Sequence, residues 1–128
     1  MEFLRASRVL ILMAPLTADT RDAFGATRLT ELRRGSYVIN VARGELIVED
    51  DLVALLDSGH LSGAALDVFR EEPLPAGHRL WRNPAIRITP HVAAVTVINE
   101  AADQIAKKIH DIEAKRPVTG LVDRRRGY

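Results

Sequence analysis

Residues 37–68 read YVINVARGELIVEDDLVALLDSGHLSGAALDV, and this stretch decides the fold. An apolar run, Tyr37–Val41, leads through a short polar turn into EDDLVALLDS at Glu49–Ser58, and a second apolar run follows at Leu61–Val68. The middle segment sets Leu52, Leu55 and Leu56 on one face, carries acids in its first turn and stops at Gly59. Those are the marks of a helix with its charges matched to its dipole. The flanking runs are continuously apolar rather than alternating, as expected of parallel strands covered on both faces. Strand, helix and strand in this order imply a right-handed βαβ crossover.

The same grammar extends outward. Two further apolar runs, Val9–Met13 and Ala85–Thr89, bring the count to about four strands in an α/β, doubly wound parallel sheet. Asp22–Leu32 carries a weaker helical pattern broken by Gly25, which suggests two short helices. The segment Phe69–Pro84 holds three prolines and a glycine, so a long loop of functional character is expected there. Beyond His91 a long helix is expected over Thr96–Ala114, with Ile98, Ala101, Ala102, Ile105, Ile109 and Ile112 along one stripe, ended by Pro117 and Gly120. Four parallel strands with a departing C-terminal helix look like the second half of a dinucleotide-binding domain. The first half of such a domain carries G-x-G-x-x-G between a strand and a helix, where backbone amides hold a pyrophosphate. None of the eight glycines forms that spacing, and no P-loop spacing occurs.

Composition narrows the function classes. A hydrophobic share of 47% suits a globular core, and a net charge of +1 gives no reason to expect nucleic acid as a partner. Arg124, Arg125 and Arg126 form a short basic run that reads as a solvated tail. With no cysteine there are neither disulfides nor thiolate metal sites, which fits a reducing compartment, and the cytoplasm is the expected location. No run approaches the roughly 20 apolar residues of a membrane span, and no secretory leader pattern opens the chain. No histidine pair has ligand spacing, so no metal is expected. The serines lack a nucleophile elbow.

Three side chains stand just beyond the ends of these runs: Arg43 in VINVARG, Glu72 in LDVFREEPLP and His91 in ITPHVA. Alone, an arginine in a turn is ordinarily a surface residue. Its place after a strand changes that, because open α/β sheets bind ligands at the carboxyl ends of their strands. An arginine fork can hold a carboxylate through two hydrogen bonds, and a histidine backed by a carboxylate can move a proton near neutral pH. Together they suit the reversible reduction of a 2-oxo acid. Asp67 ends an apolar run, where an unpaired carboxylate would be costly, so it needs a hydrogen-bonding partner from ligand or protein. Trp81 reads as a loop anchor packed onto the sheet.

APLTADTRDAFG, then VINVARGELIVEDDLVALLDSGHLSGAALDVFREEPLP, then ITPHVA, in this order, resemble the D-isomer-specific 2-hydroxyacid dehydrogenases. ITPHVAAVT and the tail VDRRRGY are most similar to the glyoxylate/hydroxypyruvate reductase A branch. The resemblance implies an NAD(P)-dependent oxidoreductase using NADPH or NADH to reduce glyoxylate- or hydroxypyruvate-like 2-oxo acids. It implies that Arg43 grips the substrate, that His91 is the acid protonating its carbonyl oxygen, and that Glu72 hydrogen-bonds the imidazole and favours its protonated form. Asp67 would contact the nicotinamide carboxamide. Pro15, Leu16 and Thr17 would line the adenosine side, and Ala42 with Arg43 would lie beside the nicotinamide. Residues 1–91 would be a partial NAD(P)-binding domain without its glycine-rich loop, and residues 92–128 a helix and tail returning to a substrate domain. A homodimer is expected, and the partial chain alone is expected to bind cofactor weakly or not at all. The rival expectation is a non-catalytic module that senses nicotinamide cofactor or dimerises.

Overall fold

The computed structural model describes residues 2–125, so Arg126 of the basic run and the last two residues of the VDRRRGY tail lie outside the described residues. The helices are α1 (Glu2–Ala6), α2 (Ala26–Leu29), α3 (Glu49–Asp57) and α4 (Ile98–Glu113), and the strands are β1 (Val9–Leu12), β2 (Ser36–Asn40), β3 (Leu61–Leu66) and β4 (Ile86–Ile88). Short 3-10 turns occupy Gly44–Leu46 and Arg79–Arg82. The chain divides into two compact units, Met1–Ala93 and Ala94–Tyr128.

In the first unit the four strands pair in parallel in the order β1-β2-β3-β4. Leu10 lies beside Val38, Val38 beside Ala64, and Ala64 beside Ile86, so these residues share one face. That face is the core. It is joined by Leu4, Leu29, Leu32, Leu46, Leu52, Leu56 and Leu80, all buried. α3 follows the expected span closely, with Glu49, Asp50 and Asp51 in its first turn and Leu52 and Leu56 inward. Gly59 closes it at φ +65°, a conformation glycine adopts without strain.

The expectation of strands covered on both faces fails at β1. Val9 and Ile11 point to the opposite side and are 51% and 53% exposed, with Met13 beyond them at 76%. The reason is topological: strands laid down in sequential order through crossovers of one hand carry their connecting segments on one face. In β2 the partner residues Tyr37 and Ile39 are only half-buried. Tyr37 lies so close over Gly63 that a Cβ there would meet its ring at 2.4 Å.

The weak helical pattern at Asp22–Leu32 resolves into one four-residue helix rather than two. Asp22 adopts φ +55°, Phe24 forms a parallel bridge to Ile47, and the Ala26 amide donates to Asp51 Oδ2 at 2.6 Å. Long-range contacts thus supply what a segment with Gly25 could not build locally. In the loop after β3, Trp81 does not pack onto the sheet as expected. It is 51% exposed and its indole donates to the Pro75 carbonyl, whereas neighbouring Leu80 is the buried anchor.

The second unit contains α4. Its stripe residues Ile98, Ile105, Ile109 and Ile112 are exposed. Asp111 is its one buried residue and binds Lys107 and Arg116.

Candidate active site

Every candidate residue follows the carboxyl end of a strand. Pro15–Thr17 follow β1, Ala42 and Arg43 follow β2, Asp67 and Glu72 follow β3, and His91 follows β4. Parallel strands end on the same side, so the sheet gathers residues up to 76 positions apart in sequence onto one edge (15 to 91).

The Arg43 loop is built from β2 outward. Asn40, 1% exposed, receives a hydrogen bond from the Ala42 amide on Oδ1 (3.1 Å) and donates from Nδ2 to the Arg43 carbonyl (2.8 Å). The Arg43 guanidinium donates to the Ala42 carbonyl at 2.6 Å. The next residue, Gly44, presses against the loop after β3: a Cβ would lie 2.0 Å from the Phe69 carbonyl carbon. No other residue type lets the two backbones approach so closely. Arg70 ties the same loops together, donating to the Ile47 carbonyl and pairing with Asp22.

Across this junction His91 meets Glu72. His91 Nδ1 and Glu72 Oε2 are 2.8 Å apart, and the Phe69 amide donates to Glu72 Oε1 at 2.9 Å. The hydrogen bond from His91 chiefly holds the Glu72 carboxyl below the usual carboxylate range. The Phe69 amide adds to it; these two hydrogen bonds outweigh the opposing effect of burial, and the charges of His91 and Arg43 add smaller pulls in the same direction. An ionised carboxylate only accepts, so Nδ1 carries the hydrogen and the exchangeable position is Nε2, which has no hydrogen-bond partner among the described residues. Arg43, Glu72 and His91 line one hollow of about 230 Å³ with Gly44, Glu45, Phe69 and Arg70. On the other side of the pair, Phe69, Leu74, Trp81, Ile88 and Pro90 line an apolar hollow of about 550 Å³.

Asp67 is 3% exposed and its partners come from the protein. Its carboxylate accepts from the Thr89 hydroxyl and from the Val92 and Ala93 amides, the latter two at 2.9 Å. Burial pushes this carboxyl up, but these donors outweigh it and leave the group below its ordinary value. Three of about four acceptor positions on a carboxylate are thereby used. Pro15, Leu16 and Thr17 lie apart from the hollow, in a turn held by Thr20, whose hydroxyl donates to the Pro15 carbonyl at 2.7 Å. Sequence reasoning missed Asn40, Gly44 and Thr89. An asparagine closing an apolar strand is itself a signal, because a buried amide requires partners. Nothing local to Gly44 or Thr89 announces contacts 25 and 22 residues away.

The family described as D-isomer specific 2-hydroxyacid dehydrogenase, NAD binding domain, matches residues 1–93. The chain is 52% identical to glyoxylate/hydroxypyruvate reductase A of Klebsiella pneumoniae (strain 342) over 127 residues, covering 99% of this chain and 41% of that protein. Among solved structures, a D-isomer specific 2-hydroxyacid dehydrogenase from Xanthobacter autotrophicus Py2, in complex with NADPH and MES, superposes with a TM-score of 0.95 at 47% identity. It covers 99% of this chain and 52% of that one. An NADPH-dependent glyoxylate/hydroxypyruvate reductase from Sinorhizobium meliloti, in complex with NADP and sulfate, gives 0.94 at 38% identity, covering 99% and 42%. The chain therefore spans about two-fifths of the length of the curated relatives it matches. This chain belongs to the D-isomer specific 2-hydroxyacid dehydrogenase family.

Proposed function

We propose, from that membership and the geometry of the sheet edge, that this chain supplies the acid–base and substrate-gripping half of an NAD(P)-dependent reductase of small 2-oxo acids. The observation that carries the proposal is the His91–Glu72 pair at 2.8 Å lining the same hollow as Arg43. Arg43 offers a planar fork for the substrate carboxylate. His91, held by Glu72 through Nδ1, presents Nε2 to the carbonyl oxygen and delivers a proton there as the alkoxide forms. Electrostatic attraction from Arg43 stabilises the charge that develops on that oxygen. When bound, the dinucleotide supplies the hydride.

The residues present fit the nicotinamide end of such a cofactor. Asp67 retains about one acceptor position for a carboxamide N–H, Ala42 and Arg43 sit at the neighbouring strand end, and the Pro15–Thr17 turn after β1 is proposed to line the adenosine side. The pyrophosphate has no glycine-rich cradle within these 128 residues, so weak cofactor binding by this chain alone is expected. NADPH is favoured over NADH because two solved relatives are complexes with NADPH or NADP. Glyoxylate and hydroxypyruvate are the proposed substrates, from the names of the relatives. Residues 1–91 are proposed as the cofactor-side domain and 92–128 as the return to a substrate domain.

A homodimer is also proposed, supported by the apolar face of Val9, Ile11 and Met13, which is half or more exposed. Among the described residues no helix is long and apolar enough to cross a membrane. A cytoplasmic location is proposed from that and from the absence of cysteine.

A graft tests the catalytic proposal. This chain replaces the matching C-terminal segment of the Klebsiella reductase, and glyoxylate reduction by NADPH is followed. An active chimera that loses at least about a hundredfold in kcat with His91→Ala supports an acid–base role. A folded chimera with no activity, or one indifferent to His91→Ala, would refute it.

A further inference from the structure

We infer that Asp67 and Thr89 form a latch that holds His91 in a left-handed turn and so positions its imidazole against Glu72. His91 has φ +55°, a conformation that costs a residue with a side chain free energy and persists only where the surroundings over-determine it. Those surroundings can be enumerated. Within Thr89–Ala93 the proline has no N–H to give, and every other residue donates to the end of β3. Thr89 donates to the Leu66 carbonyl at 3.1 Å and His91 to the Asp67 carbonyl at 2.9 Å. The Val92 and Ala93 amides divide between the two carboxylate oxygens of Asp67, and the Thr89 hydroxyl adds a further bond to Oδ1. Asp67 is in turn fastened to β2, its own amide donating to the Asn40 carbonyl at 3.0 Å, and Asn40 is the residue that braces the Arg43 loop. One buried residue at the end of β3 thus joins three strand ends: its carboxylate holds the segment after β4 that carries His91, and its backbone amide ties β3 to β2, which leads into Arg43.

The latch rests on the proposed role of His91 as the acid, and it gives Asp67 a task separate from any contact with nicotinamide. Asp67 and Thr89 are positioning residues, since they act through the imidazole.

The test needs no cofactor. In the 128-residue chain, NMR follows the Glu72 carboxyl titration and the ¹⁵N signal that reports a hydrogen on His91 Nδ1. Thr89→Val keeps the shape and removes only the hydroxyl, Thr89→Ser restores it, and Asp67→Asn leaves one acceptor oxygen where there were two. The latch predicts that Thr89→Val moves the Glu72 titration upward toward the ordinary carboxylate range and weakens the Nδ1–H signal. Asp67→Asn should do so further, and Thr89→Ser should return both to the parent values. Parent-like titration and an unchanged Nδ1–H signal in folded Thr89→Val and Asp67→Asn proteins would overturn the latch. Because activity is not read, that failure would leave the catalytic proposal standing, and an inactive graft would leave the latch standing.

Discussion

The two sides of strand β1 and the sheet edge beside them are built to opposite standards of completion. At the carboxyl edge the key polar groups of Asn40, Asp67, Glu72 and Thr89 are engaged within Met1–Ala93. On the face of Val9 and Ile11 large apolar side chains remain half exposed, although Leu10 and Leu12, which alternate with them, are each 3% exposed. The difference teaches that the geometry of the His91–Glu72 pair is encoded by residues within Met1–Ala93. The same stretch leaves the second face of β1 half exposed.

The comparison can be broken first at β1 itself. Leu10→Ala should cost about 3 kcal/mol, as expected of a cavity in a packed core. Ile11→Ala, one residue along, should cost less than about 1 kcal/mol, since an exposed position loses little on truncation. Urea unfolding of the two variants measures the gap. Equal losses would mean that the Ile11 face is covered in solution, as by a second copy of the chain, and a concentration-dependent midpoint would identify that case.

At the edge, Gly44→Ala forces apart the backbones that bring Arg43 to Glu72. The expected destabilisation is about 2–3 kcal/mol, typical of overpacking a tight site. Asn40→Leu should cost a similar or slightly smaller amount, about 2 kcal/mol, because the Ala42 amide and the Arg43 carbonyl lose their buried partner. It should also weaken binding of oxamate, a 2-oxo acid mimic, more than Ile11→Ala does. Calorimetric titration of the grafted enzyme with NADPH present compares them, and equal oxamate affinity would separate Asn40 from the Arg43 loop.

The smallest effect is on pH dependence. Asp67 and Glu72 both have folded-state values below their ordinary ones. The stability they add is therefore fully present above the unfolded carboxylate range, roughly pH 4. It is lost as the pH falls through the lowered folded values. Asp67→Asn should flatten the acid limb of a stability-against-pH curve without changing its alkaline side. A parent-like acid limb in that variant would mean that Asp67 gains nothing from its donors.

Much of this was legible before the structure. The four strands, α3 and α4 follow directly from continuous apolar runs and from one-faced leucine and isoleucine spacing. Strand ends then place Arg43, Glu72 and His91 on one edge, because topology does the gathering. What escaped was long-range or compensatory. The four residues of α2 depend on Asp51 and Ile47 from elsewhere in the chain. Trp81 satisfies its indole on Pro75, so a large aromatic is no guarantee of an anchor. The open face of β1 carries the same apolar residues as a covered one, so composition alone cannot reveal that it is left half exposed. For Asp67 the sequence required a partner without saying which, and the protein's own turn provides it.

The most direct measurement is the carboxyl titration of Glu72 in this 128-residue chain, with and without His91→Ala. If the acid–base pair is complete within the first unit, Glu72 titrates below the ordinary glutamate range in the parent and returns toward it when the imidazole is removed. A Glu72 that titrates as a free glutamate in the folded parent, unmoved by His91→Ala, would contradict it.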